Sequence, residues 1–149
     1  MQKAYFKANF GNLEISSNEL GINEIKFVSF YKKSEFKDEN LELCLYELDE
    51  YFKGNLRNFS VKLNISGTEF EKKVYNALLE IPYSKTKTYK EIAEAIGHPK
   101  AYRAVGNANA KNKIPIVIPC HRVVAVNSIG GYSSGTKIKK ILLNLELSF

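Results

Sequence analysis

Apolar positions in the first third of the chain recur at short intervals, broken by turn-forming residues. Ala4 to Phe10 alternates loosely, Gly11-Asn12 predicts a turn, and Leu13-Glu14-Ile15 and Ile25 to Phe30 read as strands. Ser16 to Gly21 is turn-rich punctuation between them. The period then lengthens. Leu41, Cys44, Leu45, Leu48, Tyr51 and Phe52 recur at three and four residues, the stripe of an amphipathic helix that Gly54 ends. Phe59 to Leu63 alternates again as a strand. Ser66-Gly67-Thr68 then marks a boundary, dividing the chain into expected domains 1–66 and 67–149.

Beyond the boundary the pattern is helical. Phe70, Val74, Ala77, Leu78 and Ile81 share one apolar face, and Pro82 ends that helix. Thr88-Tyr89-Lys90-Glu91 fits a capping box, predicting a short helix to Ile96 with a stop at Gly97. Pro99 suits the first turn of a further helix through Ala110. Two short helices joined by a tight Gly-containing turn match a helix-turn-helix, and equally an ordinary helical hairpin. The second helix is rich in small residues (Ala101, Ala104, Gly106, Ala108, Ala110), which would let its backbone approach a surface with Arg103 projecting. An apolar segment follows from Ile114 to Pro119, then Cys120-His121-Arg122-Val123-Val124 and a Gly-rich loop, 130–135. Ile138, Ile141, Leu142 and Leu145 predict a terminal helix bearing Glu146.

Composition narrows the class. With 149 residues, 44% hydrophobic and 26% charged, the chain can build one ordinary domain or two small ones, and it is not disordered. The longest uncharged apolar run, Ile114 to Cys120, falls far short of the roughly 18 residues that span a bilayer. Lys3 and Lys7 interrupt the start, and no apolar secretory core follows. We therefore expect a soluble, intracellular protein with no membrane association. The net charge of +6 is unevenly shared: residues 1–60 carry −2 and residues 61–149 carry +8. A basic half suits an anionic partner, with nucleic acid the usual candidate, although a lysine-rich soluble surface would read the same way.

Two cysteines and two histidines, scattered along the chain, form no disulfide framework and match no zinc spacing, so no metal is expected. Cys44 lies on a helical apolar stripe and reads as a core residue. Cys120, beside His121 and Arg122, is a candidate nucleophile, because cationic or proton-accepting neighbours favour the thiolate. Against this, adjacent residues on a strand face opposite ways, and taken alone the residues favour a packed cysteine in an apolar segment. A turn at Pro119 would change that geometry.

The surrounding residues bear on the choice. Ile116 to Val124, with Pro119-Cys120-His121-Arg122 at its centre, resembles the active-site signature of O6-alkylguanine-DNA alkyltransferases, the methylated-DNA–protein-cysteine methyltransferases. The resemblance runs from about Gly67 to Glu146. It includes Tyr89-x-x-Ile92-Ala93, Arg103-Ala104-Val105-Gly106, Asn112, Gly130-Gly131-Tyr132-Ser133 and Leu142-Leu143-x-Leu145-Glu146, in order. The first third matches only in outline.

The resemblance implies an α/β fold: a small strand-rich, ribonuclease-H-like N-terminal domain and a mainly helical C-terminal domain with a winged helix-turn-helix. It implies a monomer without cofactor or metal that binds double-stranded DNA through the minor groove. Such a protein flips O6-alkylguanine from the stack, with O4-methylthymine a further candidate substrate, and takes the alkyl group irreversibly onto Cys120. It implies that His121 takes the thiol proton through a water, Glu146 orients the imidazole, and Tyr89 helps neutralise the leaving base. Arg103 would fill the vacated stack and Asn112 brace the turn. Ser133 with its neighbour Tyr132 would donate toward O6, and the carbonyls of Cys120 and Val123 would accept from the exocyclic amine. The expected location is the cytoplasm, or the nucleus of a eukaryotic host. Lys113, Ser134, Ser84 and Tyr75 depart from residues common in the family, and none of them removes a catalytic group. Three other readings are a catalytically silent binder of alkylated DNA, a helix-turn-helix regulator with a sensor cysteine, and a Cys-His hydrolase.

Overall fold

The computed structural model describes all residues, 1–149. Strands β1 (Gln2–Ala8), β2 (Gly11–Asn18) and β3 (Gly21–Val28) form an antiparallel meander in that order. The first turn falls at Asn9-Phe10, ahead of the expected Gly11-Asn12, because Gly11 already pairs with Ala8. Ser16 and Ser17, expected as turn residues, lie inside β2. Strand burial of a serine is tolerable once its hydroxyl has a partner, and Ser17 Oγ donates to the Asp38 carboxylate at 2.6 Å. Asp38 in turn caps helix α1 (Glu39–Phe52), accepting from the backbone of Asn40 and Leu41. Leu41, Cys44, Leu48 and Tyr51 are buried with Ala4, Leu13, Ile15 and Ile25 in the core of this unit, Met1–Ile65.

The expected strand from Phe59 to Leu63 is reduced to a single parallel bridge between Leu63 and Ile22. A side chain takes the place of a partner strand. The buried Glu47 carboxylate accepts from the backbone of Ser60 (2.9 and 3.0 Å) and Val61 (2.9 Å), using donors a ladder would need.

The second unit, Ser66–Phe149, contains α2 (Glu69–Leu79), β4 (Lys87–Thr88), α3 (Tyr89–Ala95), α4 (Tyr102–Ala110), β5 (Val123–Val124) and α5 (Thr136–Ser148). Helices α2 and α3 both begin with complete capping boxes, Thr68 with Glu71 and Thr88 with Glu91. Helix α4 starts at Tyr102 and not at Pro99, because Ala101 N–H closes a turn onto His98 O at 2.9 Å. Helices α3 and α4 pack on α2 through Val74, Leu78, Ile92, Ala93, Val105 and Ala108, giving the helix-turn-helix. The two-residue strands β4 and β5 pair in parallel, and an Ala125–Ser128 bridge folds the chain after β5 into a short wing. No helix is long and apolar enough to cross a membrane.

Candidate active site

Residues 114–119 are buried on all sides and form no strand, contrary to the simplest reading of their apolar run. They coil around the Asn112 side chain, whose Nδ2 donates to Ile118 O at 2.9 Å while its Oδ1 accepts from Ile114 N at 3.0 Å. Ile116 sits at φ 76, a conformation that β-branched residues rarely adopt. The strain is held by the surrounding bonds. Cys120 N–H then turns back onto Ile118 O at 2.7 Å, and Cys120–Arg122 form one turn of 3-10 helix. The turn removes the strand objection to a Cys-His pair.

His121 is fully buried and its Nε2 lies 2.6 Å from Glu146 Oε2 on α5. Arg122 binds the same carboxylate twice, Nε to Oε1 at 2.9 Å and Nη2 to Oε2 at 3.0 Å, and donates to Ile81 O at 2.8 Å. Ser84 N–H completes the set, donating to Glu146 Oε1 at 3.0 Å. An ionised carboxylate can only accept, so Nε2 of His121 carries the proton and Nδ1 presents its lone pair. No protein atom partners Nδ1. Burial holds the His121 pKa below the usual imidazole value; Glu146 pulls it upward, and Arg122 and Lys139 add to the lowering. A neutral, oriented imidazole is the form a base requires.

Burial pushes the Cys120 thiol above its ordinary pKa, opposed by the Asn112 amide, the Tyr132 hydroxyl and the Lys139 ammonium. The resting sulfur is therefore a thiol set among groups that favour the thiolate. Lys139 has no solvent exposure at all. Its Nζ donates to Val123 O at 2.6 Å and Gly131 O at 2.9 Å, and burial brings its pKa down to about 8 although Cys120 raises it. Burial, with the charge of Cys120 adding, raises the Tyr132 hydroxyl well above its usual value, so it stays a donor.

Beside this group lies a cleft of about 240 Å³ lined by Tyr89, Gly106, Asn109, Ala110, Gly131, Tyr132 and Ser133. Tyr89 is the first residue of α3, and its hydroxyl accepts from Gly131 N–H; burial raises its pKa and that bond opposes the rise. Gly130 is obligatory here: its φ is 75, and a Cβ would lie 2.6 Å from the Tyr89 hydroxyl. Arg103 stands exposed one residue into α4. Of the residues singled out from sequence, Cys120, His121, Glu146, Asn112, Val123 and Tyr132 converge in one buried network. Tyr89, Ser133 and Tyr132 line the cleft, and Arg103 lies apart on the surface. No group of three or more His, Cys, Asp or Glu is arranged so that it could hold a metal ion.

The family model of the "6-O-methylguanine DNA methyltransferase, DNA binding domain" matches residues 69–148, and that of its "ribonuclease-like domain" matches residues 1–65. The chain belongs to the methylated-DNA–protein-cysteine methyltransferase family. A relative of that name from Methanosarcina acetivorans is 47% identical, the match covering 98% of both chains. A constitutive one from Bacillus subtilis is 50% identical over 72% of this chain and 66% of its own. The solved structure of Mycobacterium tuberculosis OGT in complex with DNA superposes with a TM-score of 0.90 at 35% identity, covering 99% of this chain and 94% of that one. Fold and family thus agree with the resemblance of the C-terminal motifs, and extend it over the first third.

Sequence reasoning passed over three residues of this methyltransferase site. Arg122 was weighed only as a neighbour of the thiol, yet it faces Glu146. Lys139 falls in a basic helix and so looks solvated. Its signal was its spacing: with Leu142 and Glu146 it lies at i, i+3 and i+7 on the buried face. Asn109 hides among small residues, four places after the buried Val105.

Proposed function

We propose that this chain repairs O6-alkylguanine in DNA by moving the alkyl group from guanine O6 to Sγ of Cys120, once per molecule. The observation that carries this reading is the buried Cys120–His121–Glu146 arrangement, in which the carboxylate fixes the imidazole tautomer and Nδ1 is left as the acceptor. His121 Nδ1 takes the thiol proton through a water. The thiolate then attacks the alkyl carbon in line; a C–S bond forms, the C–O6 bond breaks, and its electron pair passes into the purine. A purinyl anion is a poor leaving group, so donors to the base lower the barrier. Tyr89 and Ser133 border the cleft where such donors are needed, and the raised Tyr89 pKa keeps that hydroxyl protonated at neutral pH. Lys139 offsets the charge on sulfur until the bond forms. The product is a thioether, which is not a leaving group at neutral pH, so the protein is spent.

The alkyl carbon is hidden inside a duplex, so the base must leave the stack, at a cost of a few kcal/mol. Helix α4 supplies Arg103 to hold the extruded state, and the basic charge of the second unit favours phosphate contact. We further propose that the protein works as a monomer without metal, in the compartment holding the DNA, cytoplasm or nucleus. A free reactive thiol requires a reducing environment of that kind. The test is duplex DNA with a labelled methyl on guanine O6. Label fixed on Cys120 supports the reading, and bound but unchanged DNA supports a silent binder.

A further inference from the structure

The sheet of the first unit has two unlike faces, because side chains alternate along a strand. Ala4, Leu13, Ile15 and Ile25 fill the core, while the register places Lys3, Tyr5, Lys7, Glu14 and Lys26 together on the opposite face. Ser34 ties the loop after β3 to the free edge of β1, its Oγ accepting from Tyr5 N–H at 2.8 Å. Phe30 and Tyr31 of that loop pack against Tyr5, with ring centroids 5.8 and 6.5 Å away. Neither ring is covered: Phe30 is 44% exposed and Tyr31 45%. Lys7 Nζ stands 4.4 Å from the centre of the Tyr31 ring, and Lys32 Nζ 5.5 Å from that of Phe30.

The charge is segregated as well. Residues 1–60 carry a net −2, yet Lys3, Lys7, Lys26 and Lys32, half of their eight basic residues, gather on this face. The two acids that the strands bring there are engaged locally. Glu14 accepts from the Tyr5 hydroxyl at 2.8 Å and pairs with Lys3 at 3.4 Å, and Glu24 lies 3.8 Å from Lys26. The Cys120 site draws no residue from this face.

We propose that this face binds single-stranded nucleic acid irrespective of any lesion, with bases stacking on Phe30 and Tyr31 and phosphates meeting the four lysines. Exposed rings among lysines suit sequence-independent binding of single strands, since every base has a π-face to stack. A lysine beside each ring sets positive charge where the phosphate of a stacked nucleotide lies. A duplex keeps its base faces inside the stack, so the surface selects unpaired strands. An acidic peptide would satisfy the lysines and leave the rings unused.

The test irradiates the full chain with a short, lesion-free single strand carrying 5-bromodeoxyuridine, then digests it with trypsin. Cross-links should fall on peptides 4–7 and 27–32, which hold Tyr5 and the Phe30-Tyr31 pair. The same strand in a duplex should not label them. In fluorescence anisotropy with oligo(dT), the double variant Phe30→Ala, Tyr31→Ala should lose affinity at least about five-fold. Lys7→Gln should lower the slope of log affinity against log salt by about 0.7. Repair of O6-methylguanine in duplex DNA should be unchanged in the double variant, which shows that it is folded. Cross-links confined to residues 66–149, seen on the unaltered protein, would overturn the proposal whether or not the variant folds. Undiminished affinity in the double variant would overturn it too. Displacement of the strand by polyglutamate as readily as by unlabelled oligo(dT) would assign the face to an acidic protein instead.

Discussion

Arg122 and Glu146 meet through two parallel bonds, Nε to Oε1 at 2.9 Å and Nη2 to Oε2 at 3.0 Å, with Glu146 1% exposed and Arg122 6%. The pair fastens α5 to the turn carrying the nucleophile, and it leaves Glu146 ionised for His121. Breaking one side of a buried pair leaves an uncompensated charge, typically costing about 3–5 kcal/mol. Glu146→Gln should therefore lower the free energy of unfolding by about 3–5 kcal/mol, read from urea denaturation, and slow transfer as well. A variant of unchanged stability would show that the pair contributes nothing net.

Lys139 gives a pH-dependent prediction. An unfolded lysine binds its proton up to about pH 10.4, whereas Lys139 releases its own at about 8. Between those values the unfolded chain holds the extra proton, so the Lys139 contribution to stability rises with pH. Relative to Lys139→Met, the unaltered protein should gain stability from pH 8 toward pH 10. Taking the difference removes the opposing effect of Cys44, whose pKa burial raises to about 12. The same variant should transfer more slowly at neutral pH, since the sulfur loses its cation. Parallel stability curves would remove the buried ammonium from the account.

Ser84 has φ 63, a conformation that favours glycine, and its N–H holds Glu146. The left-handed conformation costs a non-glycine residue about 1–2 kcal/mol, of which glycine's greater freedom when unfolded returns about 0.5–1. Ser84→Gly should accordingly raise stability by about 0.5–1 kcal/mol and keep full transfer. Thermal unfolding measures the first and a stoichiometric assay the second. A lower melting temperature would mean that the hydroxyl has a stabilising role unexplained by these contacts.

Arg103 is exposed and makes no bond to the Cys120 network, which suits the finger role proposed for it on DNA. Arg103→Ala should slow repair of duplex DNA at least ten-fold while leaving the reaction with free O6-alkylguanine unchanged. Equal losses on both substrates would place Arg103 in the chemistry and exclude it as a finger.

The second unit was readable where a local pattern suffices, as where Thr88 with Glu91 announces a helix start. Pro119-Cys120-His121-Arg122 points to the nucleophile only together with the other motifs of the resemblance, since those residues alone also fit a packed cysteine. Recognition failed where a polar residue acts through distant partners. Lys139 is set by two carbonyls, one 16 and one 8 residues away, and only the buried phase of α5 hinted at it. Ser16 and Ser17 looked like a turn because the partner of Ser17, Asp38, lies 21 residues on. Phe59 to Leu63 had the alternation of a strand, but Glu47 had already taken its backbone donors. Periodicity reports burial well. It does not report which hydrogen-bond partner satisfies the buried backbone.

The central claim is that one sulfur, Cys120, takes the alkyl group once. Its most direct test is to incubate the protein with excess duplex DNA carrying O6-methylguanine and follow methyl transfer to completion, with peptide mass mapping. The curve should plateau at one methyl per active molecule, all on the peptide containing Cys120. Cys120→Ala should give none while still binding DNA. Cys44→Ser should behave like the unaltered protein, because burial raises the Cys44 pKa to about 12 and keeps that thiol unreactive. Continued turnover beyond one equivalent, or label on Cys44, would contradict the account.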